Sequence, residues 1–360
     1  MPRKEAVITE TIAHLVIDLA CFFLLAGNFT KTAQTTLLVG AGFMIFLILS
    51  YGLRPFLGVL LDEMPLQLHP QAVGCLLVAL ACLLPPAAAW IALFPAAVGS
   101  ALFHVGALGE SVSFARGFFS RNAAVISTGI FGGALGIFLA RQGSLSGWML
   151  PLLLLALALA CFFFTEARKY PKKIRSFRNS VVRIFPDWAV LGLTLIPLFL
   201  ISLVGSLLPA DWTEGPKILI PAALCMVGRM AGGVGADRFG PKKTAAVAFG
   251  IALLLLTVFT HVPWLYCIGL GALCAPASIC FGTATAALPE RPHLAMGTAS
   301  LAILLGTIPG FFRIVPTTSI RFLCAGLLTV ALAVSLCLYT DHCRFFHLRK
   351  RLSQRKGETR

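Results

Sequence analysis

The chain has 360 residues, of which 58% are hydrophobic and only 12% charged, with a mean hydropathy of +0.90 and a formal net charge of +15. Soluble globular domains carry about 25% charged residues, so this composition excludes a soluble enzyme or binding domain and predicts an integral membrane protein. No P-loop, G-x-S-x-G or H-E-x-x-H pattern occurs, which excludes an ATP-driven pump and the common hydrolase classes.

At about 20 residues per spanning helix, twelve segments are predicted in chain order: 9–28, 36–53, 71–89, 92–113, 122–140, 147–165, 187–209, 216–235, 244–260, 263–285, 294–312 and 319–340. The first carries Asp18 and is followed by further spans with no clear cleavage site, so it reads as a spanning helix and not as a signal peptide. His14 and Asp18 stand four apart and share one helix face. An intramembrane carboxylate faces a bundle interior, which makes Asp18 a proton or substrate site. The alternative is a static bond to a Ser, a Thr or the backbone of a neighbouring helix, and His14 is open between the same roles.

Behind span two, Arg54 precedes Gly58 and Asp62. Span four contains His104 after the small residues Gly99, Ser100 and Ala101. An imidazole there can relay protons, contact an anionic substrate or simply bridge helices. Glu110, near the cytoplasmic end of that span, is expected with Arg116 and Arg121 in a gate region. Span five carries Gly129, Gly132, Gly133 and Gly136, a small-residue face for close helix packing.

Residues 166–186 form the longest polar connection, with Arg168, Lys169, Lys172, Lys173, Arg175, Arg178 and Arg183. They read as a linker between a bundle at 1–165 and a second at 187–343, and residues 344–360 as a basic cytoplasmic tail. With both termini in the cytoplasm, only Lys31, Arg141, Lys217, Arg313 and Arg321 fall outside, as the positive-inside rule requires. Trp90, Trp148, Trp212 and Trp264 then sit at outer helix ends, and Trp188 at an inner one. The net charge is a topology signal with an attraction to anionic lipid, and not a nucleic-acid footprint.

The stretch from Gly228 to Thr244 is the most specific in the chain. It reads as a tight cytoplasmic hairpin in which Gly233, Asp237, Arg238, Gly240, Lys242 and Lys243 fit G-x-x-x-D-R-x-G-x-K-K. Asp237 can accept hydrogen bonds from a helix N-terminus or pair with an arginine. Gly58 to Asp62 repeats part of this spacing after span two. The pattern resembles the signature loop of the major facilitator superfamily of secondary transporters. Within that superfamily His14 and Asp18, the Arg54, Gly58 and Asp62 spacing, Phe103-His104, the span-five glycines, Leu288-Pro289 and Met296-Gly297 resemble the fosmidomycin-resistance branch of drug exporters. Val105 and Gly106 depart from that branch in span four, and Ile130 and Ile137 in span five.

The resemblance implies an all-α membrane fold of twelve helices in two pseudo-symmetric six-helix bundles. It implies that Asp62 and Asp237 brace one conformation against the partner bundle, with Arg54 and Arg238 as possible ion-pair members. Gly129, Gly132 and Gly136 resemble the span-five element of antiporters, with generic packing as the other reading. The expected function is secondary transport by alternating access, driven by the proton gradient, with efflux of a small drug-like or anionic compound. Uptake or facilitated diffusion of a metabolite is the alternative, and a lipid-acting membrane enzyme or signalling protein the competing class. The 11 cysteines show no C-x-x-C or metal spacing and read as small buried apolar residues, so no metal site and no cofactor are expected. The expected partners are membrane lipid and a small-molecule substrate, with the chain functioning as a monomer in the cell membrane.

Overall fold

The computed structural model describes residues 4–33, 35–63, 69–115, 117–143, 148–165, 177–208, 215–312 and 320–343. Arg116, Trp212, Arg313, the linker residues 166–176 and the tail 344–360 lie outside the described residues. Among the described residues twelve helical rods follow one another. They are α1 Lys4–Thr32, α2 Thr36–Glu63, α3 Pro70–Leu83, α4 Ala89–Ala115, α5 Phe119–Gln142, α6 Met149–Phe164, α7 Asp187–Leu207, α8 Gly215–Phe239, α9 Pro241–Thr257, α10 Pro263–Ala287, α11 Pro292–Phe311 and α12 Ile320–Leu338.

Among the described residues 9 helices are long and apolar enough to cross a membrane, and α3 and α6 are shorter apolar helices. Helix α9, with 17 residues, completes the set. The chain is thus a multi-pass membrane protein. Large apolar side chains such as Leu37, Trp188 and Phe322 face outward, as a lipid-facing surface requires.

Local chemistry sets the helix ends. Proline opens α3, α9, α10 and α11, where its missing N–H is an orphan in any case. Thr35 caps α2 by accepting from the Leu38 amide at 3.2 Å. Helix α2 breaks at Leu53, because Pro55 has no N–H to continue the ladder, and resumes over Arg54–Glu63. The break in α10 at Ala275 and Pro276 has the same cause.

The two halves pack alike. Helix α1 lies against α5 as α7 lies against α11, and α3 against α4 as α9 against α10. The most extensive contacts between the halves are α2 against α11 and α5 against α8, with α4 also meeting α11 and α5 meeting α10. Apolar association supplies little force between helices in lipid, so close backbone approach must supply it. A Cβ at Gly132 would run into the Leu15 carbonyl oxygen, and one at Gly136 into that of Leu19. The α1–α5 pair therefore depends on these glycines.

The stretch read as a hairpin is mostly helix. Gly233, Asp237 and Arg238 lie inside α8, and Gly240 alone makes the turn before α9, with φ at +94°. Gly58 and Asp62 are likewise helical, in the second segment of α2. Loop-like composition misled here because the glycines and the aspartate serve contacts with the opposite bundle and not a change of chain direction.

Gly136→Val should prevent recovery of folded protein or lower its melting temperature, since overpacking typically costs about 1–3 kcal/mol or more. Gly40, with nothing within 4 Å of a built Cβ, should accept alanine without loss. Thermal unfolding of the two purified variants checks the contrast.

Candidate functional site

Two similar devices join the bundles at one end of the molecule. Asp237 is fully buried and accepts from the amides of Phe119 and Ser120 at 2.9 Å each, and from the Ser120 hydroxyl at 2.6 Å. Those amides open α5, where the first N–H groups have no helical partner and the dipole favours an anion. Asp62 does the same at the start of α11. It accepts from the His293 amide at 3.2 Å, the Leu294 amide at 2.9 Å and the His293 Nδ1 at 2.6 Å.

The glycine one turn earlier makes each contact possible. A Cβ at Gly58 would lie 2.7 Å from the His293 carbonyl oxygen, and one at Gly233 would lie 2.8 Å from that of Phe119. Gly109 of α4 leaves the space occupied by the His293 ring. Glu63 and Arg291 add an exposed ion pair at 3.1 Å, of the kind worth less than about 1 kcal/mol.

One turn before each glycine stands an arginine. Arg54 is 3% exposed, stacks on Tyr51 at 3.9 Å, donates from Nε to the Ser50 carbonyl at 3.1 Å and from Nη1 to Ser300 of α11 at 3.2 Å. Arg229 donates from Nη1 to the Ile126 carbonyl of α5 at 3.2 Å, and its buried Nε has no hydrogen-bond partner among the described residues. The repeat is therefore Arg-x-x-x-Gly-x-x-x-Asp in both halves. Arg229 and His293 were not singled out in the sequence. Extending the Gly-to-Asp spacing back by four residues would have found the arginine.

Both arginines line a cavity of about 420 Å³ between the bundles, together with His14, Asp18, Tyr51 and His104. Its remaining wall is apolar, from residues that include Phe22, Ile130, Ile137, Phe281 and Ile303. Gly129 belongs to this wall, because a Cβ there would strike the Asp18 carboxylate and the His14 ring.

The cluster His14, Asp18 and His104 has a defined proton arrangement. His14 Nδ1 lies 2.6 Å from the Val125 carbonyl, and His104 Nδ1 lies 2.6 Å from the Ser100 carbonyl. A carbonyl only accepts, so both Nδ1 atoms carry hydrogen and the two Nε2 atoms are left for Asp18. Nε2 of His14 is 3.6 Å and Nε2 of His104 is 3.3 Å from its oxygens. A neutral imidazole would there aim a lone pair at a carboxylate. The contact is favourable only when a proton or another cation sits between them. The three residues offer ligand atoms within 4.8 Å of one another, a set of the kind that holds a metal ion although no metal spacing was visible in the sequence.

The remaining candidates are dispersed. Glu110 is buried and accepts from Gln71 Nε2 at 2.5 Å, and the same nitrogen donates to Glu10 at 3.2 Å. Arg121 lies over the Phe118 ring, 4.7 Å from its centroid. Arg238 and Lys243 are exposed, and the Lys242 amide donates to the Thr340 carbonyl at 3.3 Å.

No family model matches the sequence, and no curated protein matches it. The fold has counterparts among solved structures. A bacterial homologue of the iron transporter ferroportin, in an outward-facing state, superposes with a TM-score of 0.59 at 15% identity, covering 92% of this chain and 98% of that one. At that identity the likeness is one of fold.

Asp237→Asn retains the shape but places an NH₂ group against one of the α5 amides, losing a charged acceptor worth about 1.5–3 kcal/mol per bond. In hydrogen-exchange mass spectrometry the Phe119 and Ser120 amides should exchange at least about tenfold faster in this variant, with α3 unchanged. Equal exchange in the two proteins would mean that the carboxylate charge does not hold the bundles together.

Proposed function

We propose that the chain is a secondary active transporter and not an enzyme, moving a small anionic, drug-like compound by alternating access and coupled to protons at His14, Asp18 and His104. The observation that carries this reading is the pair of imidazole Nε2 atoms facing one carboxylate on the wall of an inter-bundle cavity. Such a cluster takes up and gives up a proton as its access changes, and Asp18 is its most exposed member at 16%.

An anion is favoured by charge. Arg54 and Arg229 are permanently cationic, Asp18 carries at most one negative charge, and apolar side chains make up the rest of the wall. Arg229, a guanidinium on the cavity wall, is suited to a carboxylate or phosphate oxygen. Export from the cell follows from the resemblance to the fosmidomycin-resistance exporters in α1, α2, α4 and α5. The sealed end carrying Asp62 and Asp237 is then cytoplasmic and the state is outward-facing. Uptake uses the same parts in the reverse direction.

A second reading makes a transition-metal cation the cargo. Two imidazoles oriented by carbonyls together with one carboxylate suit Mn, Fe or Co, and the solved structure with the same fold is described as a homologue of an iron transporter. The two arginines weigh against it, because a divalent cation would join a site that already has a positive excess.

In proteoliposomes screened with a panel of small organic anions, Asp18→Asn should abolish accumulation driven by a pH gradient and leave counterflow measurable. Arg229→Gln should weaken anion affinity about 10- to 100-fold, the loss of one or two charge-assisted bonds. Flux in Asp18→Asn that follows the pH gradient as in the wild type would remove the proton assignment. Co²⁺ transport, with a visible absorption band lost in both Asp18→Asn and His104→Ala, would establish the metal reading instead.

A further inference from the structure

A second buried acidic group lies outside the cavity. Glu10 of α1 is fully buried at 0% exposure. Its Oε1 accepts from Gln71 Nε2 of α3, and that same nitrogen donates to Oε2 of Glu110 on α4. A single neutral amide nitrogen therefore serves two carboxyl groups within one bundle. The Oε2 of Glu10 is buried with no hydrogen-bond partner among the described residues. A carboxylate oxygen left in that condition costs more than a carboxylic acid, which spreads less charge and brings its own donor.

Position gives this group a use. Glu10, His14 and Asp18 stand at i, i+4 and i+8 and are aligned along one face of α1. Eight residues span about 12 Å of helix, so Glu10 is two turns from Asp18, toward the end sealed by Asp62 and Asp237. Elements packed against α1 bring few other titratable groups to it. Helix α3 brings Gln71 and Cys75, with His69 at its N-cap held by Thr165, and α4 brings Glu110. Helix α6 brings Cys161, and α5 faces α1 with glycines and Thr128, whose hydroxyl donates to the Thr11 carbonyl.

We propose that Glu10 is a second proton-binding site, protonated in this sealed conformation and emptied toward the cytoplasm when the sealed end opens, so that the coupling proton travels along the Glu10, His14 and Asp18 face of α1. The step is a proton transfer only. The O–H bond of Glu10 breaks, the proton leaves to water entering from the opened end, and Glu10 is recharged from the His14–Asp18 cluster on resealing. This inference rests on the proton-coupled reading of the cavity.

Infrared spectroscopy of the full chain in lipid nanodiscs tests both separately, because a buried protonated carboxyl has its own C=O band. The band should be present near neutral pH in the wild type and in Asp18→Asn, and lost in Glu10→Gln. In the wild type, glutamate labelled with ¹³C at its side-chain carboxyl should shift the band, which assigns it to a glutamate and not to Asp18, Asp62 or Asp237. In the combined Asp62→Asn and Asp237→Asn protein, the band should titrate away at least about one pH unit lower than in the wild type, a tenfold change in proton affinity. A band that does not respond to the glutamate label, or that survives in Glu10→Gln, overturns the assignment to Glu10. A band with the same titration in the latch variant as in the wild type makes the proton static and overturns the relay. Loss of pH-driven flux in Asp18→Asn is decided by the liposome assay alone, so the cavity reading stands or falls independently.

Discussion

The join between the bundles at one end of the molecule is built on two buried carboxylates, each of which caps the first turn of a helix in the opposite bundle. Taking an aspartate out of water is costly, and these two offset the cost by accepting two backbone amides and one side-chain donor each. In the proposed transport cycle the same donors and acceptors are satisfied by water when the bundles part, so the balance between sealed and open is a small difference between large terms, which is what a switch requires. A glycine one turn from each aspartate is part of the same interaction, because a Cβ at Gly58 or Gly233 would hold the helices apart.

The repeat ties this latch to the cavity. Arg54 and Asp62, like Arg229 and Asp237, lie two turns apart on the same helix. Each arginine also reaches across the interface, Arg54 to Ser300 and Arg229 to the Ile126 carbonyl. A ligand that draws an arginine toward itself must therefore change a contact between bundles, on the rod that carries the latch. In the proposed transport cycle this would couple cavity occupancy to the sealed end without any long chain of intermediates. The His14, Asp18 and His104 cluster lines the same cavity, where α1 and α4 meet.

Much of the fold was legible in the sequence. Hydropathy located the twelve spans, because an uninterrupted apolar run can do little else in a membrane, although α2 runs past the predicted end at 53 to Glu63 and α3 stops at Leu83, short of the predicted 89. The Gly-to-Asp spacing was also visible, but its glycines looked like turn residues, and only packing shows that Gly233 is helical and faces Phe119. Asp18 and His14 stood out as polar residues four apart in an apolar run. The partnership with His104 did not, since it requires the crossing of α1 and α4. Glu10 escaped notice near the chain start, where a charge looks like a flank, although its phase with His14 and Asp18 was readable. His293 and Gln71 had no local signal, because their roles come entirely from residues far away in the chain.

The most direct test of the account is the distance between the bundles at the sealed end. Spin labels at Arg121 and Phe239, exposed positions on α5 and α8, report that distance by pulsed electron resonance. The wild-type protein should show one short population, and the protein lacking both carboxylate charges, Asp62→Asn with Asp237→Asn, should add a longer one. The same distance distribution in both proteins would contradict the claim that these two caps hold the conformation.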